Sequence, residues 1–302
     1  MALRIYSFSL QPADLSCSSI FARMVSQKNF YSYLILFMLL MLAASCSRFN
    51  KIMKSTDNEL KYQAALRYYA DKKYFQALQL LEELVVIFRA TPRGEEVYYY
   101  YAKAYFGTGD YLTAAYHFNN FYKTFPGSRY AEECLFMNAY CYYLDSPVYS
   151  LDQKSTLEAI QQFQFFINKF PQSSRIEECN RLIDQLRFKL ETKAFQNARL
   201  FYRTEDYRAA TIAFTNVIKD FPTTIYAEEC MFMAFKSAYY YASNSIITKR
   251  RERYYDALQH YFNLVEKFPD GKFQKEANRI FEDIKKQLQA LDEHKNVTLG
   301  PQ

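Results

Sequence analysis

From residue 74 onward, apolar positions recur at intervals of three and four, the spacing that keeps one face of a helix apolar. The runs end at fixed punctuation. Phe-Pro closes four of them, at Phe125-Pro126, Phe170-Pro171, Phe221-Pro222 and Phe268-Pro269. Twelve residues before each proline stands an alanine (Ala114, Ala159, Ala210, Ala257), and four after each alanine an aromatic (Phe118, Phe163, Phe214, Tyr261). Three before the alanine comes Tyr111, Thr156, Tyr207 or Tyr254. A looser first copy runs Tyr74, Ala77, Leu81 and stops between Phe88 and Pro92. Proline lacks an N–H and disfavours helix in the residue before it, so each Phe-Pro predicts a helix end.

A second helix is predicted ahead of these. Ala65, Ala102 and Ala198 lie twelve residues before a repeat alanine, followed three later by Tyr68, Tyr105 and Phe201. Small residues let a neighbouring helix approach closely, and the large aromatic fills the space beside them. This order is similar to the tetratricopeptide repeat, whose period is about 34 residues. The expected fold is all-α, a tetratricopeptide-like solenoid of about five helical hairpins over 61–290, with a frayed tail at 291–302. Pro92 to Pro126 spans one period, but the later prolines are 45, 51 and 47 apart. Insertions are therefore expected at 144–155, in a long helix from Ser174, and at 243–251.

The peptides YAEECLFM (130–137) and YAEECMFM (226–233) are explained by this phase. Cys134, Cys179 and Cys230 all fall eight residues after a stop proline, where the last copy has Ala277. Cysteine there reads as a small buried residue exchangeable with alanine. The paired glutamates precede it in the first helical turn, where carboxylates offset the helix dipole. Ser128, Ser174 and Thr224 are the expected N-caps, with Ser174 to Glu177 fitting a capping box.

Candidate chemistry is thin. His117 and His260 occupy one repeat position in separate copies, too far apart in a stack to share a metal. No phosphate loop, nucleophile elbow or HExxH motif occurs. The chain is expected to be no enzyme and to need no cofactor or metal. The net charge of +6 is dispersed, which does not point to nucleic acid. The basic run Lys249–Arg253 is expected in a solvated loop leading into a helix.

The N-terminus changes the picture. Leu34 to Ala44 is apolar without a charge, too short for a spanning helix of roughly 20 residues but suited to a signal peptide. Residues 1–45 are the expected signal, with translation expected to start at Met24. Residues 42–46, LAASC, resemble the bacterial lipobox, which implies that Cys46 is lipidated and opens a linker over 46–60. No aspartate follows Cys46, and by resemblance to lipoprotein sorting signals this implies the periplasmic face of the outer membrane. Several acyl chains would make anchoring to the lipid bilayer stable.

Taken with the lipobox, the repeat order and the segment SPVYSLDQKST (146–156), the chain resembles the BamD family of outer-membrane assembly lipoproteins over nearly all of 46–290. The resemblance implies a scaffold of the β-barrel assembly machinery. Its implied partners are BamA-like periplasmic domains at the C-terminal repeats, unfolded outer-membrane proteins at the N-terminal repeats, and other machinery subunits. Better-studied members of that family place an arginine about nine residues before the fourth repeat's proline to pair with the barrel partner, where this chain has Ala213. A periplasmic repeat scaffold for envelope or cell-division coordination stays open, as does a nutrient-binding lipoprotein of the SusD type. In tetratricopeptide arrays the first helix of each hairpin lines the peptide-binding face. That phase gives Tyr62, Leu66 and Tyr69, then Tyr99, Lys103 and Phe106, then Phe136, Tyr140 and Tyr143, a strip suited to an extended peptide with aromatic side chains.

Overall fold

The computed structural model describes residues 48–299, with side chains to 293. The expected signal peptide, Met24 and Cys46 lie outside the described residues. Among the described residues there is no strand, and no helix is long and apolar enough to cross a membrane. The chain divides into two compact units, one ending at Thr108 and the other beginning at Gly109.

In the first unit a short helix α1 (48–53) precedes α2 (Asn58–Ala70), α3 (Tyr74–Ile87) and α4 (Gly94–Thr108). Helix α3 packs on both α2 and α4. The repeat residues Ala65, Ala77 and Leu81 are fully buried in this core with Leu80, Leu84 and Val97. Part of the expected linker is built in: Phe49, Ile52 and Met53 share one face of α1 and pack against the core, Phe49 edge-on to Tyr68 at 5.5 Å. Gly94 permits the turn into α4, since a Cβ there would stand 2.3 Å from the Phe88 carbonyl oxygen.

The second unit holds α5 (Tyr111–Thr124), α6 (Ala131–Asp145), α7 (Lys154–Lys169), α8 (Ile176–Arg203), α9 (Tyr207–Asp220), α10 (Ala227–Ser243), α11 (Ile247–Lys267) and α12 (Gln274–Leu299). Each helix packs on the next, and α10 also meets α12. This neighbour-to-neighbour packing is what a repeat array requires. Ala114, Ala159, Ala210 and Ala257 are fully buried, as are Phe118, Phe163 and Phe214.

Repeated sequence produces repeated geometry. At Phe125, Phe170, Phe221 and Phe268 the backbone leaves the helix in the same non-helical conformation, and each N–H donates to the carbonyl four residues back. Helices α2, α5 and α9 start on Asp57, Asp110 and Asp206, whose carboxylates accept from the N–H three residues on at 3.0–3.2 Å. The residue two before the inner helix is left-handed in three copies: Lys72, Gly109 and Glu205. Only Gly109 adopts this without a Cβ penalty.

Three expectations need correction. Ser128, Ser174 and Thr224 are not N-caps; the first residues before these helices are Tyr130, Arg175 and Tyr226, without side-chain caps. Ser128, Ser173 and Thr224 instead close the preceding turn, accepting from the N–H two residues on at 2.9–3.1 Å. The equivalent in the third copy is Ser173, so the proposed capping box does not form. The run Lys249–Arg253 lies inside α11, because the insertion lengthens that helix to 21 residues. Helix α12 runs on to Leu299.

The inserted lengths take different forms. Between α6 and α7, the buried Gln153 donates to the carbonyls of Val148 and Leu151 at 2.9 and 3.0 Å and accepts from Thr156. Thr156 thus replaces the repeat tyrosine to close a polar loop. Helix α8 absorbs its extra length as 28 continuous residues. Its first half buries Cys179, Leu182 and Leu186 with α6 and α7, and its second half buries Phe195 and Ala198 with α9 and α10.

Candidate functional site

The nine strip residues fall on α2, α4 and α6, as the phase predicts, but with unequal exposure. Tyr62 is 2% exposed, below the Arg93 guanidinium at 5.1 Å, and burial with the Glu96 carboxylate nearby raises its phenol pKa. Leu66 and Tyr69 are half-buried, the Tyr69 ring meeting Tyr74 and Tyr100 edge-on at 5.5 and 5.4 Å. On α4, Tyr99 is buried, while Lys103 and Phe106 are half-buried. Lys103 donates to the Tyr99 hydroxyl at 2.9 Å and lies 4.9 Å over its ring.

In the second unit, Phe136, Tyr140 and Tyr143 form a continuous stack along α6, with ring centres 5.8 and 5.7 Å apart. Spacings of four and three residues put all three on one helical face. Phe136 is buried against Phe163 and Phe166, and Arg175 covers its ring at 4.3 Å. Tyr140 and Tyr143 are half-buried.

The duplicated octapeptide extends this face. Counting two, six and nine residues after the repeat cysteine or Ala277 gives Phe136, Tyr140 and Tyr143 on α6, then Arg181, Gln185 and Phe188 on α8. It continues with Phe232, Lys236 and Tyr239 on α10, then Arg279, Asp283 and Lys286 on α12. Tyr143 donates to Gln185 at 2.8 Å, and its equivalent Tyr239 donates to Asp283 at 2.7 Å. The first glutamate of each octapeptide also reaches forward. Glu132 accepts from the Ser173 hydroxyl at 2.6 Å, and Glu228 from the Phe273 N–H at 3.3 Å. These carboxylates therefore tie one outgoing helix to the turn before the next, beyond any effect on the helix dipole.

A cleft of about 620 Å³ opens between α10 and α12, lined by Tyr239, Tyr240, Glu276, Arg279, Asp283 and Lys286. Lys236 pairs with its wall residue Glu276 at 2.7 Å. Tyr240 stacks on Tyr207 at 5.1 Å, beside Tyr202. Sequence reasoning missed this patch because residues 243–251 break the count from the repeat alanine. Counting from the repeated octapeptide cysteine would have found it.

Among the described residues, the thiols of Cys134, Cys141, Cys179 and Cys230 are fully buried in the core. Burial raises the thiol pKa to about 11 at Cys179 and about 12 at Cys230. Burial also lowers the pKa of His117 and His260, opposed by Asp110 and Asp256 respectively. Among the described residues, no group of three His, Cys, Asp or Glu side chains could hold a metal ion. The basic run is engaged internally: Lys249 pairs with Glu252, Arg251 with Asp292, and Arg250 donates to the Ser245 carbonyl. Arg253 lies 4.1 Å over the Tyr241 ring.

Among curated protein sequences, none matches this chain. Solved structures similar to it include the TPR2AB domain–pHSP90 complex of yeast Sti1, at 10% identity and a TM-score of 0.36, covering 76% of this chain and 98% of that one. The P58(IPK) TPR domain is similar at 13% identity and a TM-score of 0.36, covering 81% and 67%. The family model described as "YfiO: Outer membrane lipoprotein" matches residues 53–245 and 202–294. The helical repeat order and this match over most of its length make the chain a member of the YfiO outer membrane lipoprotein family, the BamD family that its sequence resembles.

Proposed function

We propose that this protein is a lipid-anchored scaffold of the outer-membrane β-barrel assembly machinery. In this reading Cys46 carries the acyl anchor and the repeats face the periplasm. The C-terminal repeats dock the periplasmic domains of a BamA-like barrel, and aromatic strips receive extended segments of unfolded outer-membrane proteins. Other subunits of the machinery would bind the remaining surface. Membership of the YfiO family across residues 53–294 is the observation that carries the reading. Ala213 stands where relatives carry a pairing arginine, so barrel docking here would rest on surface fit rather than on that ion pair.

The strip supports peptide binding through its half-buried members. Tyr62, Tyr99 and Phe136 are structural supports, because rings so covered contribute mainly to the cores. Tyr140 and Tyr143 present stacked rings, and each aromatic contact contributes about 0.5–1.5 kcal/mol beyond area burial. The test is binding of a fluorescent peptide copying the last strand of a β-barrel protein. Tyr140→Ser combined with Tyr143→Ser should weaken binding roughly 5- to 150-fold, the equivalent of about 1–3 kcal/mol. Unchanged binding in a variant with native circular dichroism would refute the α6 strip.

A further inference from the structure

Helices α9 and α11 each pack on α10 and leave a trough between them. Two adjoining clefts of about 370 and 260 Å³ share His260 as a common wall. The floor is apolar and shallow-sided: Ala234 and Ala238, one helical turn apart, with Met231 beyond them. Ile212, 54% exposed, forms the α9 wall. From Arg208 to Lys219 the wall spans eleven residue steps, about 16 Å at the helical rise.

The geometry points to a docking site for a short amphipathic helix of a partner protein, acidic along its flanks. Two small floor residues admit a helix ridge to the usual packing distance of about 8–10 Å. A helix satisfies its own backbone hydrogen bonds and can lay an apolar face on this floor. About three turns fill the trough. The charge pattern selects the flanks: Arg208 and Lys219 are exposed and make no ion pair among the described residues, and Arg253 adds a third cation. Among the described residues, Asp256 is the one acidic side chain lining the two clefts, and burial favours the neutral form of His260. Complementary charge of this kind sets specificity and association rate. Ala213 packs toward the core and does not line the trough, and the trough shares no residue with the aromatic strip on α2, α4 and α6.

The probe is a capped 14-residue fluorescent peptide with leucines at helical spacing and glutamates on the flanks. Two controls accompany it, one with lysine for glutamate and one scrambled to keep charge but lose the leucine face. Anisotropy with the full mature chain should show binding of the glutamate peptide alone, weakened by salt. Arg208→Glu with Lys219→Glu, both on the surface, should weaken it about tenfold or more. Ile212→Asp should abolish it and leave the circular dichroism unchanged. Equal binding of the lysine peptide, or unchanged binding in the double charge variant, would overturn the proposal. So would self-association of the chain that Ile212→Asp disperses and the glutamate peptide does not compete.

Discussion

Lys61 is 3% exposed, yet it carries a charge into the core of the first unit, where its ammonium donates to both oxygens of Glu83 at 2.7 Å. The carboxylate side is 43% exposed. That asymmetry predicts unequal costs for removing the two partners. Glu83→Ala strands a buried cation, which costs about 3–5 kcal/mol in a fully buried pair. Because water reaches Glu83 and so part of the pair, about 2–3 kcal/mol is expected here. Lys61→Met keeps an apolar stem of similar shape and leaves Glu83 hydrated, so its cost should be under about 1 kcal/mol. With two units in one chain, a single unfolding midpoint can mix their transitions. Hydrogen exchange of the α2, α3 and α4 amides reads the first unit directly. Glu83→Ala should speed exchange there at least about fivefold more than Lys61→Met does. Equal effects, or a larger effect from Lys61→Met, would refute the reasoning.

Cys179 and Cys230 should alkylate slowly in the native protein and rapidly in denaturant. Their folded pKa values, about 11 and 12, lie above the ordinary thiol value of about 8.5, so the unfolded chain loses these protons first. Their contribution to stability is present below about pH 8.5 and fades as pH rises through about 11–12, by at most about 1.4 kcal/mol per pH unit per thiol; urea titrations across that range test it. Asp110→Ala and Asp206→Ala should each cost about 1 kcal/mol through loss of a helix cap, measured by urea unfolding. Glu205→Gly should be neutral or stabilising by up to about 1 kcal/mol, since glycine adopts the left-handed turn freely; a clear loss of melting temperature would count against that turn.

The repeat was legible because its signals are local and strong. Each Phe-Pro stops a helix through the backbone chemistry of proline itself, and the alanine and aromatic positions report a burial pattern that four copies share. The cysteines were legible for the same reason, through their exchange with Ala277. Caps were harder. Ser173 and Ser174 are adjacent hydroxyls, and only the turn geometry after Phe170 selects the first. Lys249–Arg253 reads as loop by charge, yet helix α11 accepts it because Ser245, Glu252, Asp292 and the Tyr241 ring meet its cations. Exposure within the strip was not legible: Tyr62 and Tyr69 share a helical phase, but Arg93 covers the first ring. The ties Tyr143–Gln185 and Tyr239–Asp283 span 42 and 44 residues, separations set by insertions of different length. No fixed period would have aligned them.

The most direct test of the scaffold assignment is recovery of partners from crosslinked outer membranes with a tagged full-length chain. Cys46→Ala, which should leave the precursor uncleaved by the lipoprotein peptidase, serves as the unanchored control. The account predicts that the wild-type chain recovers a β-barrel protein with repeated periplasmic domains, together with unfolded outer-membrane proteins, and that the control loses both. Recovery of division or peptidoglycan proteins without any such barrel would contradict it.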